Sequence, residues 1–174
     1  FVVGLMAGAI ITAGVSSYGT TLFTSVGAME KADAAFLMST GYMTFGAIHF
    51  LYCGFFARKF SPKVFAIFMF GSIIIGLAIL IWWTGNQIFA IAAIGLFFVA
   101  LIKPVNSLPV LFLPDLFGWK DYAAFSAFVM GFYYLGVCIS QLTTARVMQF
   151  LGGSAALYYL IIMAAISLVA LFFA

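Results

Sequence analysis

The chain is a succession of apolar runs of about twenty residues or more, each long enough to cross the roughly 30 Å hydrocarbon layer of a bilayer as a helix. That property removes most folds from consideration. With 67% hydrophobic and 6% charged residues and a mean hydropathy of +1.27, polar groups are too few to cover the surface of a water-soluble domain. Runs such as Ile73-Ile-Ile-Gly-Leu-Ala-Ile-Leu-Ile81 do not alternate apolar with polar residues, as strands of a membrane barrel must, so the spans are helices.

Charges and turn residues divide the 174 residues into six predicted spans, 1–26, 34–57, 62–83, 88–113, 121–145 and 154–174. Asp33, Asp121 and Ser154 are suited to cap the second, fifth and sixth helices, and Ser61 with Pro62 reads as the cap and first residue of the third. Cys53 and Cys138 fall inside spans and read as buried apolar fillers. No cofactor or metal is expected, because one His, two separated Cys and acids confined to helix ends do not assemble a ligand set. The same shortage argues against an enzyme. Gly14-Val-Ser-Ser17 with His49 is the nearest approach to a serine dyad, and it lacks the glycine after the nucleophile.

Three of the seven cationic residues, Arg58, Lys59 and Lys63, lie between the second and third spans. Lys and Arg accumulate in short cytoplasmic loops, so the ends of the second and fourth helices and both chain ends are expected inside, with Arg146 as the one dissenting charge. Trp82 and Trp83 are placed by this reading in an interfacial aromatic belt on the opposite side. The net charge of +3 is then a topology signal that implies no nucleic-acid partner. A start at Phe1 without methionine reads as a piece of something longer.

Polar residues are shared unevenly among the helices. The first holds Thr12, Ser16, Ser17, Tyr18, Thr20, Thr21, Thr24 and Ser25, whereas the third has Ser72 alone inside its span. The second aligns Tyr42, Gly46, His49 and Cys53 in one stripe, and the fifth aligns Ser126, Met130, Tyr133, Val137, Ser140 and Thr144. Lys103-Pro-Val-Asn-Ser-Leu-Pro109 interrupts the fourth, and the sixth is nearly as bare as the third. Polar side chains are costly against lipid, so the first, second, fourth and fifth helices should face one another or a watery cavity, and the third and sixth should face lipid. The order polar, polar, apolar occurs twice, as two inverted three-helix repeats would give. A closed bundle glued by Ser and Thr hydroxyls is the competing reading. Gly4, Gly8, Gly14, Gly19, Gly41, Gly46, Gly131 and Gly136 would permit close helix approach in either case.

Gly54-Phe-Phe-Ala-Arg-Lys-Phe-Ser-Pro-Lys63 resembles the signature loop of the major facilitator superfamily, Gly-x-x-x-Asp-Arg-x-Gly-Arg-Arg or Lys. Gly54, Lys59 and Lys63 match by type, Arg58 stands where the family has Asp, and Ser61 and Pro62 replace Gly and Arg. Leu116-Phe-Gly-Trp-Lys-Asp-Tyr-Ala-Ala-Phe-Ser126 is similar to the loop after the fourth helix in the C-terminal half of the branch containing oxalate-formate antiporters and monocarboxylate transporters. The resemblance implies an all-α membrane fold, one six-helix half of a twelve-helix transporter. Its partners would be the N-terminal half, the bilayer and a small-molecule substrate with a proton or counter-anion. In that family the two halves enclose a cavity and rock about it, with the third and sixth helices outside. Without the loop carboxylate, the segment orients the chain better than it explains gating.

Lys103 lies deeper in the fourth span than a Lys side chain easily snorkels, and an intramembrane cation needs a partner, an ion path or an anionic ligand. Pro104 frees the carbonyl of Ala100 beside Asn106 and Ser107, which suits a binding site. The expected function is therefore alternating-access transport of a small carboxylate, with Lys103, Asn106, Tyr18, Tyr42, Tyr133, Tyr134 and Gln141 as substrate-binding candidates and His49 as the proton-coupling candidate. Lys103 paired with a carboxylate of another half, and His49 as a hydrogen-bonded packing residue, are the competing readings. At the level of function, the alternatives are a carrier of a neutral or cationic solute such as a sugar or drug, and a receptor or scaffold subunit without flux.

Overall fold

The computed structural model describes residues 1–173 apart from 27, 28, 87, 119 and 121, and of residues 57, 58, 115, 116 and 117 it describes the backbone alone. Among the described residues the regular structure is entirely helical. Six helices are long and apolar enough to cross a membrane: Val2–Ser25, Lys31–Phe56, Pro62–Asn86, Phe89–Pro114, Tyr122–Leu151 and Gly153–Phe172. This is the architecture of a multi-pass membrane protein. All six coincide with predicted spans, and they differ from them at the ends for identifiable reasons.

The second helix begins at Lys31 behind Glu30, so Asp33 stands in its first turn instead of capping it, where a carboxylate still favours the positive end of the helix dipole. Pro62 opens the third helix as expected, with the amide of Phe65 donating to the Ser61 carbonyl at 3.1 Å. The fifth continues to Leu151 because no helix breaker occurs before Gly152, so Arg146 belongs to a helix and not to a loop. Gly152, at φ 88°, reverses the chain alone and precedes a sixth helix that starts at Gly153, which puts Ser154 inside the first turn. Asp121, the expected cap of the fifth helix, lies outside the described residues.

Two spans are not continuous α-helix. The second passes through a π-helical segment, Leu37–Tyr42, before resuming as Met43–Lys59. The fourth tightens into a 3₁₀ segment, Ala100–Ser107, between Phe89–Val99 and Leu108–Phe117. Pro104 lacks the amide that would bond Ala100, and runs of 3₁₀ helix longer than three or four residues are uncommon. Both departures from α geometry fall where the two spans meet.

The first span packs against the fifth and sixth, the fourth packs against the second and third, the third meets the sixth, and the first meets the fourth. Small residues set the closest crossings. A Cβ on Gly76 would stand 2.7 Å from the Gly95 carbonyl oxygen, and one on Gly95 would stand 3.1 Å from that of Gly76, so the third and fourth helices touch backbone to backbone. Gly136 of the fifth span fits against the Met6 carbonyl in the same manner, whereas Gly131 has open space around it.

Burial departs from the polarity expectation. Half of the third helix's apolar window is buried, against 33% for the second helix and 22% for the fifth. Apolar side chains serve helix packing as readily as lipid contact, so a bare helix need not be an outer one. Trp83 illustrates this, since it is 1% exposed and meets Phe23 edge-on at 5.3 Å between centroids, while Trp82 is 62% exposed. Trp83 is thus a packing residue between helices, whereas Trp82 points away from the bundle. Cys138 is exposed and Cys53 half-buried, so neither is the buried filler expected.

Candidate functional site

The polar stripe of the second helix is one buried face turned toward the fourth span. Tyr42 and His49 are 1% and 3% exposed, the Lys103 side chain lies across Gly46, and the His49 ring packs on Phe97 at 4.8 Å. A periodicity visible in the sequence therefore becomes the wall that receives the interrupted helix.

Lys103 sits roughly 22 Å and 18 Å along the axis from the ends of its span, near mid-depth. Its Nζ lies 4.3 Å from the centroid of the Tyr42 ring and 3.5 Å from the Met43 sulfur. A ring face and a thioether are weak partners for an ammonium, and among the described residues no carboxylate pairs with it. Such a cation in the hydrocarbon zone retains most of its capacity to attract an anion.

Tyr42, Met43 and Lys103 line an open recess of about 370 Å³ whose other walls are Ser16 and Thr20 of the first span and Ala35, Met38 and Ser39 of the second. The Tyr42 hydroxyl is buried on the side of the recess formed by Ser16 of the first span. Hydroxyls and one ammonium make this a surface for acceptor-rich ligands.

The polar surface continues from Ser16 to the fifth span. Ser17 Oγ accepts from Gln141 Nε2 at 2.8 Å, and the Tyr18 hydroxyl donates to the Gln141 carbonyl at 2.8 Å. Tyr133 is 8% exposed and meets Tyr134 edge-on at 5.5 Å, while Tyr134 is 61% exposed. Of the substrate-binding candidates, Lys103 and Tyr42 therefore share the recess, Gln141 and Tyr18 lie beside it in mutual contact, and Tyr134 stands on the open face of the fifth helix. Asn106 is exposed one 3₁₀ turn beyond Lys103, accepts from Ser107 Oγ at 3.4 Å, and does not line the recess.

The buried stripe of the fifth helix serves packing. Ser140 Oγ donates to the Ile10 carbonyl at 2.7 Å and lies 3.3 Å from Thr144 Oγ1, and both side chains are 0% exposed. Its members are Val129, Tyr133, Gly136, Ser140 and Thr144. Ser126 and Met130 are outside this buried set. His49 Nδ1 lies 2.6 Å from the Phe45 carbonyl, which can only accept, so Nδ1 carries the proton and Nε2 is left without it in the neutral ring.

Lys59 and Lys63 are exposed at the far end of the second and start of the third helix, with Gly54 beside a second recess of about 300 Å³ formed with Cys53, Phe65 and Pro104. Arg58 is in the last turn of a helix, and its side chain lies outside the described residues. Most of the signature segment is thus helical, with Phe60 extended at φ −121° as it leaves.

Sequence reasoning missed Met38, Ser39 and Met43 as recess residues. Ser39 was legible as the residue one turn before Tyr42. The methionines were not, because a thioether beside an ammonium has no signature in an apolar run. No protein-family model, curated protein or solved structure matches this chain.

Proposed function

We propose that this chain is one six-helix half of a major-facilitator-type secondary transporter that moves a small organic anion across the cytoplasmic membrane by alternating access. The observation that carries the proposal is Lys103, a mid-span ammonium on an interrupted helix that among the described residues meets a ring face and a thioether but no carboxylate, at the edge of a hydroxyl-lined recess. Anionic substrate and cation would meet there, with proton or counter-anion coupling through His49 or through the other half.

The packing pattern supports a repeat reading. Exchanging the first three spans for the last three turns the pair one and five into four and two, and the pair one and six into four and three, which are also packed pairs. The pairs three and six, and one and four, map onto themselves. Two three-helix repeats would give this relation. The open faces of the second and fifth helices would then meet the other half, and Lys59 and Lys63 would face the cytoplasm.

The test uses the full-length protein in liposomes with labelled oxalate, lactate and succinate. Lys103→Gln should raise KM for the transported anion about tenfold or more, and Lys103→Arg should restore part of it, because the charge is what the anion reads. Unchanged affinity in Lys103→Gln would refute the anion role. Absence of flux for every solute in the wild type would favour a non-transporting membrane subunit.

A further inference from the structure

We propose that Gly46 is the positioning residue for Lys103, and that it holds the ammonium parked on the Tyr42 ring and Met43 sulfur, from which an incoming anion must draw it. The proposal extends the anion reading of the recess, although its geometric half stands without that reading.

Gly46 faces the fourth span from the stripe it shares with Tyr42 and His49. A Cβ built on Gly46 would lie 2.8 Å from Lys103 Cγ, 3.5 Å from its Cβ and 3.6 Å from its Cδ. The side chain thus runs across the notch that the missing methyl leaves. The atom in the way is near the root of the side chain, so a methyl could not be accommodated by a small swing of the ammonium. It would force Lys103 into another rotamer or push the two helices apart. Either response moves Nζ from its position 4.3 Å above the Tyr42 ring and 3.5 Å from the Met43 sulfur.

Its helical context makes the position specific. Gly46 follows one turn after the π segment ending at Tyr42, and Lys103 belongs to the 3₁₀ segment opposite. Neither helix can regularise without changing which residue faces the notch, because the two segments depart from the α-helical turn in opposite senses. The parked cation therefore reports on the packing of the second span against the fourth. An anion bound in the recess that draws the Lys103 ammonium to itself removes the cation from the Tyr42 ring, a contact worth about two- to fivefold in an equilibrium at an exposed site.

The experiment is acylation of the full-length protein by a membrane-permeant acetyl ester of N-hydroxysuccinimide, with modification at Lys103 measured by peptide mass spectrometry against Lys59 and Lys63 in the same molecule. Gly46→Ala should raise Lys103 acylation about threefold relative to those references, and Tyr42→Leu should do the same by removing the ring, while Tyr42→Phe should leave it unchanged. If Gly46→Ala folds poorly, the contrast between Tyr42→Leu and Tyr42→Phe still decides whether the cation is parked. Unchanged acylation in Gly46→Ala, or in Tyr42→Leu, overturns the positioning role. Oxalate, lactate and succinate are then tested for an effect on Lys103 acylation in the wild type. No effect from any of them would undercut the anion reading while leaving the positioning result intact. A double-mutant cycle completes the test: Gly46→Ala should lower KM for anion uptake about two- to fivefold in the otherwise native protein, because the anion no longer competes with the ring for the ammonium, and should change nothing in the Lys103→Gln background, because Gly46 acts through the lysine. Equal effects in both backgrounds would make Gly46 a packing residue only.

Discussion

Residues of the same chemical kind serve opposite ends here, and the surroundings decide which. Ser140 and Ser16 are both hydroxyls on polar helix faces, yet the first is sealed between two helices and the second borders an open recess. Ser140→Ala removes a donor to the Ile10 carbonyl, an oxygen that the helix backbone also engages. Its loss should lower stability by about 0.6–1 kcal/mol, a modest fall in the thermal midpoint of the detergent-solubilised protein. Transport affinity should stay unchanged, and a shift in KM would mean that the fifth helix's buried stripe touches the ligand after all. Lys103 and its stripe partner Tyr42 were legible in the sequence, since charge at mid-span and a spacing of four, three and four residues need no structure to detect. The seat of the Tyr42 hydroxyl beside Ser16 and the methionine under the ammonium were not, because they depend on which faces meet.

Helix elements show where pattern ends and packing begins. Six spans follow from length and apolarity, but the π and 3₁₀ segments differ in legibility. Pro104 announces the second of these by its missing amide, while Leu37–Tyr42 contains no proline and no sequence mark of a widened turn. Glycines divide in the same way. Gly76 and Gly71 lie on one helix and look alike in sequence, yet a Cβ on Gly76 would strike the Gly95 carbonyl at 2.7 Å, and one on Gly71 would meet nothing within 4 Å. Gly76→Leu should therefore separate the third and fourth helices and cost about 2 kcal/mol or more. Gly71→Ala should be neutral or stabilising by up to about 1 kcal/mol. Thermal unfolding of the two variants in detergent reads the contrast, and equal midpoints would rule out the backbone crossing as a determinant of stability.

At the scale of the whole molecule, the open faces of the second and fifth helices are the counterpart of the buried third. They carry Ser39, Thr40, Thr44, Tyr134 and Gln141 as exposed residues, a polar content that lipid alone would not suit. In the proposed transporter half these faces look inward to a partner half. The orientation that goes with it places Lys59 and Lys63 on the cytoplasmic side. A membrane-impermeant amine reagent should leave both unlabelled in intact cells and label both after permeabilisation. Labelling in intact cells would reverse the orientation and with it the assignment of the Gly54–Lys63 segment.

Sequence by itself determined that the chain is helical, that it carries six segments long and apolar enough to cross a membrane, and that a cation lies in the middle of the fourth, because these depend on hydropathy, length and charge position alone. Only the tertiary structure decided that the bare third helix is buried deeper than the polar second and fifth, that the fifth helix's stripe is sealed, and that Lys103 rests across Gly46 on Tyr42. The physical reason is that a membrane helix associates through close packing of either face, without a hydrophobic force to choose between protein and lipid. Which face meets which is then settled by shape, at glycine notches and helix interruptions whose partners lie many residues away in the chain.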